Sequence, residues 1–150
     1  MPLFRKFQVS PIDAREAWSV LKGEYDDAPI LIRLNTGVRP SVGHPEWGVQ
    51  IGVAVPFKNP QPDGLPTPEE NAELIVIEDR LLQELEQSER AVLVAVITTG
   101  QMREFVFYTR SDDWIELWAG PFIDSVHSHT VQTMSRSDPD WGVYRELSGT

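Results

Sequence analysis

An α+β domain with a ferredoxin-like βαββαβ core from about residue 47 is what this sequence predicts, and three observations lead there. Apolar residues alternate with period two in some segments and recur every three to four residues in others, so strands and helices succeed one another. The most regular helical stretch opens on Thr67-Pro68-Glu69-Glu70, a capping box in which a hydroxyl and a carboxylate serve the free amides of a helix start. Two strand-like runs, residues 91–99 and 102–109, are separated by little more than Gly100 and Gln101, which reads as the turn of an antiparallel pair.

Residues 4–9 can form a first strand. A helix is expected over residues 11–22, with Ile12, Ala14, Ala17, Trp18 and Leu21 on its apolar side, Ser10 as cap and Gly23 as its end. Residues 28–36 alternate, placing Ile30, Ile32 and Leu34 on one face and Leu31, Arg33 and Asn35 on the other. A loop rich in Gly and Pro follows. Residues 47–57 alternate again, with Val49, Ile51, Val53 and Val55 on one face and small or polar Gly48, Gln50, Gly52 and Ala54 on the other, as expected opposite a helix or a close backbone.

The helix opened by Thr67 extends to about residue 87, with Leu74, Ile77, Leu81 and Leu85 forming its stripe. Residues 91–99 are apolar on both faces and read as an interior strand. In residues 102–109, Met102, Glu104, Val106 and Tyr108 face away from Arg103, Phe105, Phe107 and Thr109. Ser111 is placed to cap a further helix, with Asp112 and Asp113 in its first turn, and Gly120-Pro121 is expected to kink or interrupt it. Residues 127–135 supply a last strand, and Asp138-Pro139-Asp140 a turn before residues 141–147. From residue 47 the order is β-α-β-β-α-β, two crossovers joined by a hairpin, with both helices on one face. The strand-helix-strand before it extends the sheet, and residues 1–150 form one domain.

Composition narrows the function. Hydrophobic residues make up 41% of the chain, enough for a core and against disorder of the whole. With no cysteine, disulfides, zinc–thiolate sites and thiol nucleophiles are excluded, which fits a reducing cytosol. Twenty-three acidic residues stand against 13 basic ones, a formal charge of −10. Such a chain repels phosphates and anionic lipid, so nucleic acid and membranes are disfavoured as partners, whereas a basic protein surface suits it. No secretory signal or membrane-length apolar run is present, and a cytoplasmic protein is expected.

Several stretches resemble the bacterial DUF 695 family, a domain of unknown function. In the long helix and the loop before it, Gly64, Glu69, Glu70, Ile77, Glu78 and Asp79 carry the likeness. Gly100, Arg103, Phe105 and Tyr108 continue it in the hairpin, and Asp138, Asp140, Trp141 and Tyr144 close it. The likeness spans most of residues 28–146. Some relatives are fused to a domain like the ribonuclease E regulator B, a small acidic protein inhibitor, and the short sequence after Tyr144 has no room for one. The resemblance thus implies a regulatory or binding role and brings no catalytic residues.

The residues themselves offer few chemical constellations. His127 and His129, two apart on the expected last strand, would point to one face as a metal pair does, with His44 or Glu46 as third ligand; a polar strand face is the plainer reading, and no metal or cofactor is expected. The pairs Asp26/Asp27, Asp112/Asp113 and Asp138/Asp140 are explained by turns and caps, and Glu78 and Asp79, adjacent on a helix, do not share a face. No nucleophile elbow, phosphate loop or calcium loop occurs. Aromatic residues near the hairpin and the Asp-Pro-Asp-Trp segment could stack on RNA bases, but core packing explains most of these rings.

The reading is a non-enzymatic protein-binding or regulatory module of the bacterial cytosol, with Arg103, Phe105, Tyr108, Asp138, Asp140, Trp141 and Tyr144 as candidate binding residues. The alternatives are a small enzyme using carboxylate and histidine groups in a cleft near His44, Glu46 and the C-terminal Asp138-Pro139-Asp140-Trp141 segment, or an immunity-type protein holding a basic partner.

Overall fold

A computed structural model describes residues 17–25 and 28–149. The chain is α+β: a six-stranded antiparallel sheet carries helices on its surfaces. The strands are β1 (Trp18–Tyr25), β2 (Ala28–Asn35), β3 (Val49–Pro56), β4 (Ala91–Thr98), β5 (Met102–Thr109) and β6 (Gln132–Ser137). The helices are α1 (Pro68–Leu81), α2 (Ile115–Ser125) and α3 (Gly142–Ser148), and a 3₁₀ turn covers Thr36–Ser41. The order across the sheet is β1-β2-β4-β5-β3-β6, and every neighbouring pair is antiparallel.

The two faces of this sheet are buried separately. Alternation sends Ile51, Val53 and Val55 of β3, Leu93 and Val96 of β4, and Phe105 and Phe107 of β5 to one side. There they meet Leu74, Ile77, Leu81 and Leu85 of the α1 stripe and Ile115, Trp118 and Phe122 of α2. The other residues of β4 and β5, including Val92, Val94, Val106 and Tyr108, pack beneath α3 and the turn after β2, against Val38, Trp47, Trp141 and Tyr144. Strand β4 is buried on both faces because both layers rest on it, as its uninterrupted apolar run requires.

The N-terminal part differs from the expectation. Residues from Trp18 onward are a strand, not the end of a helix. The edge of β2 offers eight residues of antiparallel pairing, from Trp18 opposite Asn35 to Tyr25 opposite Ala28, and that ladder outweighs a weak helical spacing containing Val20 and Gly23. The expected strand over 4–9, the cap Ser10, most of the expected helix and the pair Asp26/Asp27 lie outside the described residues.

Three further differences have local causes. The helix from Pro68 does not continue regularly to 87: Leu82–Glu86 form a π turn, in which Gln87 N–H donates to Leu82 O at 2.9 Å and Arg90 N–H to Leu85 O at 2.9 Å. That widened turn brings Glu86 to the sheet, where its carboxylate accepts from Leu93 N–H at 3.2 Å beside a bulge in β4 between Leu93 and Ala95. Helix α2 passes through Pro121 unbroken. Gly120 has no Cβ to meet the proline ring, and the carbonyl that Pro121 deprives of its donor belongs to Leu117, on the solvent side. Ser111 accepts from Asp113 N–H at 3.1 Å and forms a turn ahead of α2, which begins at Ile115.

Gly64 fixes the long loop between β3 and α1 against the sheet. Its φ is +79°, and a Cβ there would lie 2.6 Å from Pro29 Cγ. A side chain would therefore meet both a left-handed backbone cost and a clash with the start of β2. We expect Gly64→Ala to destabilise the fold by about 1–3 kcal/mol, read as a lower urea midpoint at unchanged m-value.

Candidate functional site

The seven binding residues expected from the sequence fall in separate places. Tyr108, Asp138, Trp141 and Tyr144 form one network under α3, the three rings buried and Asp138 half-buried. The Tyr108 hydroxyl donates to Asp138 Oδ2 at 2.7 Å, and its ring stacks on Trp141 at 4.0 Å with planes 7° apart. Asp138 also accepts from Gly142 N–H at 2.8 Å and Val143 N–H at 3.1 Å, so it caps α3 as well as making the turn. Trp141 sits at φ 57°, where an L residue costs roughly 1–2 kcal/mol; its buried ring and its indole N–H, donated to Trp47 O at 2.8 Å, hold it there. The Tyr144 hydroxyl donates to Asn35 O at 2.8 Å, joining α3 to β2. Asp140 is exposed and offers its carbonyl to Arg145 Nε at 2.7 Å. These rings are structural, sealed between sheet and helix. Phe105 lies on the opposite face in the core beneath α1 and α2, and Arg103 points to that same side.

Burial has consequences for the ionisable groups here. It pushes the Tyr108 phenol well above its ordinary range, with the hydrogen bond to Asp138 adding to the effect, and raises the Tyr144 phenol as well. For Asp138, burial acts to raise the carboxyl, but the donors Tyr108, Val143 and Gly142 outweigh it and hold it below its usual range.

The histidines do not form the pair their spacing suggests. The last strand begins at Gln132, not 127, so His127 and His129 lie in the loop before it. His127 is exposed. His129 turns inward, its Nε2 2.7 Å from Glu70 Oε2, with the two side chains 0% and 1% exposed. Glu70 also accepts from Lys58 N–H at 2.6 Å and Asn59 N–H at 3.2 Å. The capping box is thus only half formed: Thr67 accepts from Glu70 N–H at 3.1 Å, while the Glu70 carboxylate leaves the cap to tie three segments together. Burial works to raise Glu70, and its backbone donors and His129 bring it below the ordinary range. The ring of His44, elsewhere, accepts from Glu46 N–H at 3.1 Å. Among the described residues, no group of three or more His, Asp or Glu side chains gathers where it could hold a metal ion.

Among the described residues, one open polar site is a cleft that sequence reasoning missed. Helix α1 covers β4 and β5, while β2 and β1 project beyond it. Between them runs a cleft of about 620 Å³, lined by Trp18, Arg33, Asn35, Glu78, Asp79 and Glu86 among others. Arg33 meets Glu78 of α1 in a two-pronged pair, with Nη1 donating to Oε2 at 3.2 Å and Nη2 to Oε1. Past this pair a smaller cavity of about 280 Å³ continues toward Arg103, Thr98 and Asn71. Arg103 is buried and donates from Nε to Thr98 Oγ1 at 3.0 Å and from Nη1 to Asn71 Oδ1 at 3.1 Å. Its burial and the nearby Arg33 cation lower its basicity, and Glu78 acts the other way. Asn35, 1% exposed, donates from Nδ2 to Leu93 O at 3.0 Å.

Arg33 and Asn35 were visible as the polar face of β2. That α1 faces the same side, with Glu78 turned to it, was the missing fact. Adjacent Glu78 and Asp79 indeed do different things: Glu78 is paired inward and Asp79 is exposed, yet both line this cleft.

The model of a family of unknown function, DUF695, matches residues 16–148. No curated protein and no solved structure matches the chain.

Both Glu70 and Asp138 have carboxyls lowered by folding, so each contributes stability that is full above the unfolded values of roughly 4 and is lost as pH falls through the folded ones. We expect the melting temperature to fall steeply between about pH 5 and about pH 3, and Glu70→Gln or Asp138→Asn to flatten that slope while lowering stability at neutral pH.

Proposed function

The chain belongs to the DUF695 family, and from that premise we propose that it is a non-enzymatic recognition module of the bacterial cytosol, holding a protein partner at the cleft between β1–β2 and α1. The observation that carries this reading is the cleft itself, which gathers polar groups from both sheet and helix where the helical layer stops short of the sheet's edge. Groups suited to turnover are occupied elsewhere. Glu70 and Asp138 accept three hydrogen bonds each from within the chain and are held ionised, which leaves neither placed to donate a proton to a substrate.

Further features agree with this reading. The interleaved order of β4, β5, β3 and β6 supports a ferredoxin-like arrangement of the core, a scaffold compatible with recognition by analogy only. The acidic charge favours a basic partner over nucleic acid, and the lack of cysteine suits a reducing compartment. Among the described residues no helix is long and apolar enough to cross a membrane. Of the seven residues expected from the sequence, Arg103 stands at the inner end of the proposed site. Tyr108, Asp138, Trp141 and Tyr144 serve it indirectly, by fixing β2 through the Tyr144 bond to Asn35.

A photo-crosslinking residue tests this reading when placed at Gln83, in the cleft, or at Met134, exposed on β6. In lysate of the source cells we expect a discrete adduct from position 83 and none from 134. Excess unmodified protein should compete the adduct away, and excess Gln83→Trp should not. Equal labelling from both positions, or none from 83, would sink the proposal.

A further inference from the structure

Resting on the recognition reading, we infer that the cleft seats an arginine side chain from a basic segment of the partner protein. Among the described residues the lining carries Glu78, Asp79 and Glu86 and one guanidinium, Arg33; Glu78 holds Arg33 in a two-pronged pair, Glu86 accepts from Leu93 N–H, and Asp79 is exposed. With Glu78 and Arg33 balancing one another and Glu86 engaged within the chain, exposed Asp79 leaves the described lining negative, on a chain whose formal charge is −10. An anionic segment would meet repulsion from this lining, whereas a cation is drawn to it.

A second observation points the same way. Asn35 lines the cleft at 1% exposure, and while its Nδ2 is bonded to Leu93 O, its Oδ1 has no hydrogen-bond partner among the described residues. A buried acceptor left in this state is unfavourable, and a ligand that brings N–H groups relieves it. Guanidinium carries five N–H donors and no acceptor, so it suits a lining whose unmet need is for donors. Trp18, half-buried on β1 opposite Asn35 in the strand register, supplies an aromatic wall in the same cleft. A planar guanidinium stacks on such a ring, which favours arginine over lysine.

The probe is a fluorescent peptide of alternating glycine and arginine, with a matched peptide carrying neutral citrulline, titrated into the full chain by anisotropy. We expect the arginine peptide to bind with a strong dependence on salt, and the citrulline peptide at least about tenfold more weakly. Trp18→Leu should weaken the arginine peptide by about tenfold, and exposed Asp79→Asn by a smaller factor, while Met134→Ala leaves it unchanged. Asp79→Asn removes no internal contact on which folding depends, so it keeps the test valid should Trp18→Leu unfold.

Equal binding of the two peptides, or arginine binding indifferent to both variants, would overturn the inference. If neither peptide binds and the adduct from position 83 still forms, the arginine inference falls and the recognition reading stands. If the arginine peptide binds as expected and no adduct forms, the guanidinium site stands and its assignment to a protein partner falls. Free arginine binding as tightly as the peptide would likewise remove the partner segment from the inference.

Discussion

Two helices lying side by side cover a strip of about 20 Å, and six strands at about 4.8 Å spacing need more than that. Much of this molecule follows from the mismatch. The core beneath α1 and α2 draws its sheet residues from β3, β4 and β5, the middle of the order, and β2 and β1 extend past the helical layer. A strand that the described helices do not cover cannot be apolar on that side without presenting a patch that they leave unburied, and β2 carries Arg33 and Asn35 where β4 carries Leu93 and Val96. The helix margin answers with Glu78 and Glu86. The cleft is therefore a product of layer widths, and its polarity a product of its place at the margin.

On the other face the problem is solved by a network. Helix α3 is seven residues long, too short to be stable alone, and it is held by groups that each serve two elements. Asp138 caps α3 and receives the Tyr108 hydroxyl from β5, Trp141 stacks on that same tyrosine and bonds Trp47, and Tyr144 reaches Asn35 O. Glu70 plays the equivalent part on the helical face, joining the loop after β3, the start of α1 and the loop before β6. In both places a carboxylate, buried at Glu70 and half-buried at Asp138, is surrounded by donors, the condition under which charge can be kept out of water.

Legibility from sequence followed the strength of local signals. Strands β2 to β5 and helix α1 were readable because their periodicity and their breakers agree, as in the alternation of Ile51, Val53 and Val55 or the Thr67-Pro68 start. Strand β1 was misread because its identity depends on a partner edge, and no local pattern encodes that edge. His129 was misplaced for a similar reason: its neighbour Glu70 is 59 residues away, and that contact takes residues 127–131 out of the strand. The family rhythm did mark Arg103, Glu78 and Asp79, but only the register of α1 over β2 shows that they share a cleft with Arg33 and Asn35.

The π turn of Leu82–Glu86 and the bulge at Leu93 are each the mark of one extra residue, one in a helix and one in a strand. They are bonded to each other through the Glu86 carboxylate and Leu93 N–H. Either irregularity alone would leave its partner misdirected, with a carboxylate aimed at no amide or an amide without its acceptor. The two irregularities therefore act as one unit in this chain, each giving the other its partner. Shortening the helix by that one residue would leave Leu93 N–H without the Glu86 carboxylate, and the cleft without one of its lining side chains.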